Sequence, residues 1–345
     1  MRETDAEINR QIVSVSSKRK ATENLYIQPK KIILKELSEN TQLTDGFTSN
    51  DYNVIRKSVY RSRRKVLPLI PTTIAEAHIV LNTLETTFTT KNEPFVLVND
   101  EIKNIIIFSC KTNLTFLCNV VETIYMDGTF QFCAKFFEQM FYIHGFKNGH
   151  YIPLIFILLP DKNYETYVYT FKSIVNKCKE LGLVFIPKFV TIDFEKAIHL
   201  AVNEVWSSSK IVGCRFHLTQ ACFGLIFLEP SEVSDCFIQD LMAECPTDEK
   251  LVKYCDYLVE NYISENSVFS PTLWARNSAS IQLTTNACEL FHSYFNKNFY
   301  SNSPSIISWL NIIRNDIQTE TYIKINSVEI PKKTKDKKNE GKTRI

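Results

Sequence analysis

The chain has 345 residues, 44% hydrophobic and 23% charged, so it has enough apolar material for a sizeable core, and a disordered or fibrous protein is excluded. The longest apolar run, residues 152–159, is far shorter than the roughly 20 residues that cross a bilayer, so no membrane span is expected. The net charge of +2 is uneven: basic and acidic residues number 14 and 8 in residues 1–70, 18 and 27 in 71–320, and 8 and 3 in 321–345.

The N-terminal segment, residues 1–30, is polar, and its charges are mixed without a sustained period, which predicts a flexible basic N-terminus. It also lacks the apolar segment of a secretory signal. We therefore expect the ten cysteines to be reduced thiols or metal ligands in a reducing compartment, and not disulfides.

Residues 31–118 predict a small α+β region. A helix is expected over 50–67, with Asp51 near its start, and a second helix over 74–88. Two short strands are expected over 95–110, around a turn at Asn99 and Asp100. The first helix carries cations at helical spacing, and these suit contact with DNA phosphates: Arg56, Lys57, Arg61, Arg63, Arg64 and Lys65. The alternative is a solvated helix face, which is the more common role of a charge run.

Residues 119–217 predict the order βββαβαβ, an α/β fold. The strands are expected over 123–132, 137–146, 150–159, 189–193 and 211–216, and the helices over 165–181 and 195–206. Lys147, Asn148 and Gly149 join the second and third strands in a hairpin turn, where glycine supplies a positive φ. Strict alternation over 123–132 places Asp127 on the polar side of the first strand.

This topology makes two aspartates a candidate cation site. If the fourth strand lies parallel beside the first, Asp127 and Asp193 come from strands ~4.8 Å apart and can hold one cation. Two such carboxylates repel unless a metal stabilises both charges, and Mg²⁺ prefers carboxylate oxygens together with water and phosphate. The alternative is that each aspartate only ends a strand or caps the following helix.

Five motifs in order resemble the transposase domain of Mutator-like elements (MULE), a member of the RNase H-like DDE transposase superfamily. They are Asp127-Gly128-Thr129-Phe130; Ile143-His144-Gly145 with Tyr151-Ile152-Pro153-Leu154; Leu158-Leu159-Pro160; Asp193-Phe194-Glu195-Lys196-Ala197; and Gly213-Cys214-Arg215-Phe216-His217. The resemblance extends from about Asp127 to Gln220 and resumes near Thr284. It implies an RNase H-like fold with an all-helical insertion, and DNA strand cleavage and joining by two Mg²⁺ or Mn²⁺ ions on an Asp, Asp, Glu triad.

By this resemblance Asp127 is the first acid and Asp193 the second. The family's third acid lies on a helix after the insertion, in a pattern matched by residues 285–292, so Glu289 is the predicted third ligand. Asn286, Glu289 and His292 recur every three residues and share one side of such a helix. The alternative for Glu289 is a solvated side chain on an amphipathic helix.

A structural zinc site is a further hypothesis, because Cys214 and His217 form the CxxH pair that the family shares. Structural zinc needs four ligands, and Cys288 and His292, spaced i and i+4 on the helix of Glu289, complete a Cys₂His₂ set. Such a site would tie the fifth strand to this helix. The alternative is a buried thiol and a structural histidine.

The chain also departs from the family's pattern. Its helical insertion, predicted over 218–283, is short, and no cysteine precedes Cys110 to form an upstream zinc finger. The predicted order ends with a segment over 284–325, which holds the helix of the third acid and a C-terminal helix, and a disordered lysine-rich tail over 326–345. These departures keep open a second interpretation, a catalytically inactive transposase-derived module that binds DNA or protein. An RNase H-like nuclease unrelated to transposition is the third.

The partners implied by the resemblance are transposon ends and target DNA, bound by a homo-oligomer. The basic cluster Lys18-Arg19-Lys20 and the lysine-rich tail are typical of nuclear localisation signals. A nuclear enzyme acting on chromosomal DNA is therefore expected.

Overall fold

A computed structural model describes residues 3–25, 27–44, 46–67, 70–83, 87–130, 132–213, 225–242, 249–275, 286–299 and 302–328. Within these residues, no helix has both the length and the apolar character needed to cross a membrane. Six cysteines whose side chains are described are free thiols: Cys110, Cys118, Cys133, Cys178, Cys236 and Cys255. The predicted lysine-rich tail beyond residue 328 lies outside the described residues.

The N-terminal bundle consists of three helices, α1 (Glu3–Glu23), α2 (Pro29–Glu39) and α3 (Ser49–Val66), packed on one another. The prediction that residues 1–30 are flexible is wrong, because Glu3–Glu23 is a helix. Its buried positions include Val13, Ser17 and Ala21, one turn apart, whereas Ile8 and Ile12 are about half exposed. A buried face with so little apolar area produces no apolar periodicity in the sequence.

Residue Arg63 is buried on the inner side of α3 and holds the bundle together. Its guanidinium donates to the carbonyl oxygens of Ala21 at 3.1 Å, Asn24 at 2.8 Å and Ile27 at 2.6 Å. These carbonyls belong to the last turn of α1 and to the segment that connects α1 with α2. The prediction that Arg63 contacts DNA with its neighbours is therefore wrong: this cation is used inside the bundle.

A mixed seven-stranded sheet forms the centre of the remaining chain. Its strands are β1 (Val96–Asp100), β2 (Ile105–Phe108), β3 (Thr123–Thr129), β4 (Gln139–Lys147), β5 (His150–Leu159), β6 (Phe189–Ile192) and β7 (Lys210–Gly213). The order across the sheet is β1-β2-β5-β4-β3-β6-β7. Strands β3, β6 and β7 are parallel, and every other neighbouring pair is antiparallel.

The predicted order βββαβαβ is confirmed over β3 to β7, with α6 (Tyr164–Glu180) and α7 (Lys196–Val205) as the two helices. The predicted hairpin is confirmed, but its turn is one residue shorter than predicted: Lys147 pairs with His150, which leaves Asn148 and Gly149 as the turn, with φ of 50° and 78°. One domain boundary is wrong. Strands β1 and β2 extend the same sheet through the pairing of β2 with β5, so the sheet does not begin after residue 118.

Apolar side chains cover both faces of the sheet. On one face Ile124, Met126 and Ile157 pack beneath α5 (Lys111–Val120), α6 and α7. On the other face Tyr125 and Phe156 pack beneath α4 (Ile74–Thr83) and the helices that follow residue 285. The predicted polar side of β3 is therefore covered: Tyr125 is 1% exposed, because helices distant in sequence lie over it.

The remaining described segments are helical. In the predicted insertion they include α8 (residues 233–241) and α9 (residues 249–263), which share a small apolar cluster containing Trp274. Helix α10 (Asn286–Asn296) and the long helix α11 (residues 306–328) then pack on the sheet. Helix α11 continues to Val328, three residues into the predicted disordered tail.

Candidate active site

The first predicted acid, Asp127, lies near the carboxyl end of β3 and is half-buried. Its Oδ1 accepts a hydrogen bond from the backbone N–H of Gly128 at 2.7 Å. A Cβ at position 128 would overlap the side-chain amide of the buried Gln139, so a larger residue there would force Gln139 to shift.

The second predicted acid, Asp193, directly follows β6 and is held in a similar way. Its Oδ1 accepts from the backbone N–H of Phe194 at 2.7 Å. Its backbone carbonyl lies 2.8 Å from Nε2 of His199, which must donate because a carbonyl oxygen only accepts. Burial lowers the pKa of His199, which favours this neutral, donating ring.

The two aspartates come together through strand register. Strands β3 and β6 pair in parallel with Thr123 opposite Phe189, Ile124 opposite Val190 and Tyr125 opposite Thr191. Asp127 and Asp193 each lie two residues beyond the last of these pairs, so the same register, if continued, would set them opposite each other on strands ~4.8 Å apart. The predicted parallel orientation is confirmed, and the condition that the two strands are neighbours is met. Two carboxylates at such a spacing would suit a shared divalent cation.

A third carboxyl group at this edge, Glu195, was not predicted to be functional. Burial raises the pKa of Glu195, and the negative charge of Asp193 adds to the effect. Lys162 lies 4.0 Å from Glu195, and Tyr167, which also bonds Gln139 at 3.2 Å, interacts with its carboxylate. The signal was present in the sequence, since Glu195 stands two residues after Asp193.

Helix α10 lies against β3, which carries the first aspartate, and against the neighbouring β4. The hydroxyl of Tyr142 on β4 donates to Oδ2 of Asp127 at 3.3 Å and is also hydrogen-bonded to Nε2 of His292 on α10. The predicted helix around residue 289 is confirmed, and position 289 lies one turn before His292. Nothing in the described residues tests the role of Glu289, whose side chain lies outside them.

The zinc hypothesis also stays a prediction. Cys214 and His217 lie outside the described residues, as does the side chain of Cys288. Of the four predicted ligands only His292 is described, and it contacts Tyr142. Among the residues that the structure describes, no group of three or more His, Cys, Asp or Glu side chains is arranged to hold a metal.

The predicted DNA-contacting cations lie on α3 of the N-terminal bundle. All five are exposed: Arg56, Lys57, Arg61, Arg64 and Lys65. Ile55, Val59 and Arg63 occupy the buried side of the same helix. The cations are therefore available to a partner, and their role as DNA contacts stays a prediction.

The fold and this edge together define an α/β protein whose parallel strands end in paired carboxylates. Residues 123–221 match the family model of the MULE transposase domain. This match confirms the resemblance recognised in the motifs that begin at Asp127, and it indicates a transposase-related function with DNA as the general partner. It covers less than a third of the chain. The curated proteins contain no match to this sequence.

Proposed function

We propose that this protein cleaves and joins DNA strands as a transposase of the DDE type, using an RNase H-like core. The observation that supports the proposal most is the parallel pairing of β3 with β6, because Asp127 lies near the carboxyl end of one strand and Asp193 directly follows the other. The match to the MULE transposase domain spans both aspartates. The core strands β3 to β7 and their two crossover helices support the RNase H-like assignment.

The donor set fits a divalent metal, because two half-buried carboxylates at one edge repel in its absence. Asp127, Asp193 and Glu289 would hold Mg²⁺ or Mn²⁺. Two such ions supply activation of the attacking oxygen and stabilisation of the leaving oxygen in an in-line displacement at phosphorus. The contact of α10 with Tyr142, which bonds Asp127, supports placing Glu289 in the same site.

The residues around the aspartates position them. The backbone N–H groups of Gly128 and Phe194 each fix one carboxylate oxygen, which leaves the other oxygen to a second partner. Tyr142 orients Oδ2 of Asp127, and His199 fixes the backbone of Asp193. Together they limit rotation of both carboxylates, and such preorganisation lowers the cost of reaching the reactive geometry.

A strand-cleavage assay on labelled duplex DNA with Mg²⁺ or Mn²⁺ tests the proposal. We expect Asp193→Asn and Glu289→Gln each to lower the rate at least ~100-fold, because each removes a metal-binding charge. Glu180→Gln is the matched control and should leave the rate unchanged. Glu180 is exposed and is the last residue of α6, at the opposite end of the strands from Asp193.

Binding of Mn²⁺, measured by calorimetry on the same variants, gives a readout that does not depend on activity. We expect weaker binding in Asp193→Asn and unchanged binding in Glu180→Gln. Equal cleavage by wild type and Asp193→Asn would remove the catalytic role of Asp193. No cleavage by wild type, with DNA binding retained, would establish the inactive DNA-binding module instead.

The contribution of Tyr142 is tested by Tyr142→Phe, which removes the hydroxyl and keeps the ring. We expect a drop in kcat of about tenfold, with KM for DNA unchanged, because a small misplacement of a reacting group can cost even more than this in rate. Thermal unfolding should change little. A variant with wild-type kcat would show that the Tyr142 hydroxyl does not position Asp127.

Two further expectations complete the proposal. The enzyme acts as a homo-oligomer that holds transposon ends and target DNA, and it works in the nucleus. Sedimentation with and without duplex DNA tests the first. Imaging of a tagged chain, with and without substitution of Lys18, Arg19 and Lys20, tests the second.

A further inference from the structure

One side of helix α3 faces solvent. Its buried positions, Ile55, Val59 and Arg63, follow one another at i+4 and face α1 and α2. At 3.6 residues per turn, the side chains on the opposite side fall within roughly 120° of arc. They are Asn50, Asn53, Val54, Lys57, Arg61, Arg64 and Lys65, all exposed. We call this set the outer face of α3.

The outer face of α3 changes chemically along the helix. Its first half carries two amides, Asn50 and Asn53, and the apolar Val54, which is 57% exposed. Its second half carries only cations. Amides can donate and accept at once, as the edge of a base does, whereas cations match phosphate. The two halves therefore suit two different parts of the same polyanion.

The cations of the outer face have no acidic counterpart within the described residues. Other cations of the bundle do: Lys20 pairs with Glu36 and Glu39, and Arg10 lies 3.3 Å from Asp51. These cations inside the bundle are therefore neutralised by carboxylates, whereas the cations on the outer face of α3 face solvent. A run of exposed positive charge on one helix attracts polyanions and releases their counterions on binding.

Helix α3 is also fixed at both ends. At its start, Thr48 and Asp51 form a capping box, with Asp51 Oδ2 accepting from the Thr48 backbone N–H at 2.8 Å. Toward its end, Arg63 donates to three backbone carbonyls of the α1–α2 connection. A helix held in this way keeps its side chains in a fixed arrangement, so binding costs less ordering.

We propose that α3 enters the major groove of duplex DNA and distinguishes bases with Asn50, Asn53 and Val54, while its cations neutralise the flanking phosphates. The major groove is about 12 Å wide and admits one helix. Asparagine pairs with the N6 and N7 edge of adenine, and an apolar side chain contacts the thymine methyl. The expected target therefore contains A·T pairs. The inference rests on the proposed function only in taking DNA as the substrate.

Selection from random duplexes with the full chain, followed by fluorescence anisotropy, tests the proposal. We expect one short motif containing A·T pairs to be enriched. Asn53→Ala should weaken binding to the selected duplex about 5- to 100-fold and leave binding to random duplex unchanged. Asn203→Ala, an exposed amide on α7, is the matched control and should change neither.

The cations should behave differently from the amides. We expect Arg61→Ala to weaken selected and random duplexes equally and to lower the salt slope by about 0.9 per lost phosphate contact. Lys253→Ala, on α9, removes an exposed lysine that pairs with Glu249 at 2.7 Å and should have no effect. Circular dichroism of each variant separates loss of contact from loss of the bundle.

Three outcomes would overturn the proposal. The selection enriches no motif, or the protein binds single-stranded RNA more strongly than duplex DNA. The third is that the same motif is still selected by correctly folded variants of the outer face: Asn50→Ala, Asn53→Ala and Val54→Ala. Asp193→Asn should keep the motif preference of wild type. A failure of catalysis is therefore distinguishable from a failure of base recognition.

Discussion

The central sheet and the N-terminal bundle are held together in different ways. The sheet lies between two extensive apolar clusters rich in aromatic side chains. The bundle encloses only a small cluster of aliphatic side chains and relies on Arg63 and a few ion pairs. Many dispersed contacts fix the edge that carries the aspartates, whereas a few directional contacts fix the helix that carries the cations.

This difference matches the proposed roles of the two regions. Metal-dependent chemistry depends on the placement of two carboxylates to within about 1 Å, and a close-packed sheet supplies such precision. Contact with a long polyanion requires a protruding surface with little of its area buried. The same chain therefore places its precise site on the sheet and its open surface on the bundle.

Phe156→Ala should have the largest effect and should act on the sheet alone. Phe156 is fully buried on β5 and contacts Phe291 of α10, so its loss leaves a cavity that costs about 3–5 kcal/mol. Denaturant unfolding followed by tryptophan fluorescence measures this loss, because Trp206, Trp274 and Trp309 all lie outside the bundle. Ile33→Ala in the bundle is the control, and it should not change the denaturant midpoint of the unfolding transition that tryptophan fluorescence reports.

Arg63→Met should act on the bundle alone, with an intermediate effect. The variant keeps an unbranched side chain up to the position of Nε but removes the guanidinium, so the carbonyls of Ala21, Asn24 and Ile27 lose their donor at a cost of about 2–4 kcal/mol. Hydrogen exchange should rise in α1 to α3 while protection of β3 and β6 stays unchanged. Equal loss of protection in both regions would show that the two regions unfold as one unit.

The pH dependence of sheet stability should be the smallest effect. Burial, aided by the charges of Lys324 and His292, holds the pKa of His144 well below 6.5, so His144 is neutral when folded. Below pH 6.5 the unfolded chain binds a proton that the folded chain does not. Stability is then full above pH 6.5 and falls with acidification by up to about 1.4 kcal/mol per pH unit.

Urea unfolding of wild type and His144→Gln between pH 7.5 and 5.5 measures this contribution. The variant should lose less stability on acidification than wild type does. Parallel curves for the two proteins would show that His144 does not link protonation to folding.

Local sequence patterns predicted the centre of the fold well. Alternation predicted β3, a continuous apolar run predicted β5, and the turn that ends at Gly149 predicted the pairing of β4 with β5. These features depend on neighbouring residues only. The parallel orientation of β6 and β3 followed from the usual geometry of strand–helix–strand connections, whereas their position side by side was only a condition of the metal-site hypothesis and was not predicted.

Features that depend on distant contacts were not predictable in this way. Tyr125 was expected on a polar side, because nothing near β3 indicates that helices beyond residue 285 cover it. Arg63 was placed with exposed cations, because spacing alone does not reveal its carbonyl partners. The hydroxyl bridge from Asp127 to His292 joins residues far apart in the chain and has no local signal.

The long helix α11 has a consequence for synthesis of the protein. Gln318 and Asn113 exchange two buried amide hydrogen bonds at 2.8 and 2.9 Å, and Thr321 donates to the carbonyl of Pro153 at 3.1 Å. These contacts join segments more than 160 residues apart. A nascent chain therefore leaves part of one apolar face of its sheet uncovered until residue 321 has left the ribosome, and exposed apolar surface of this kind favours aggregation.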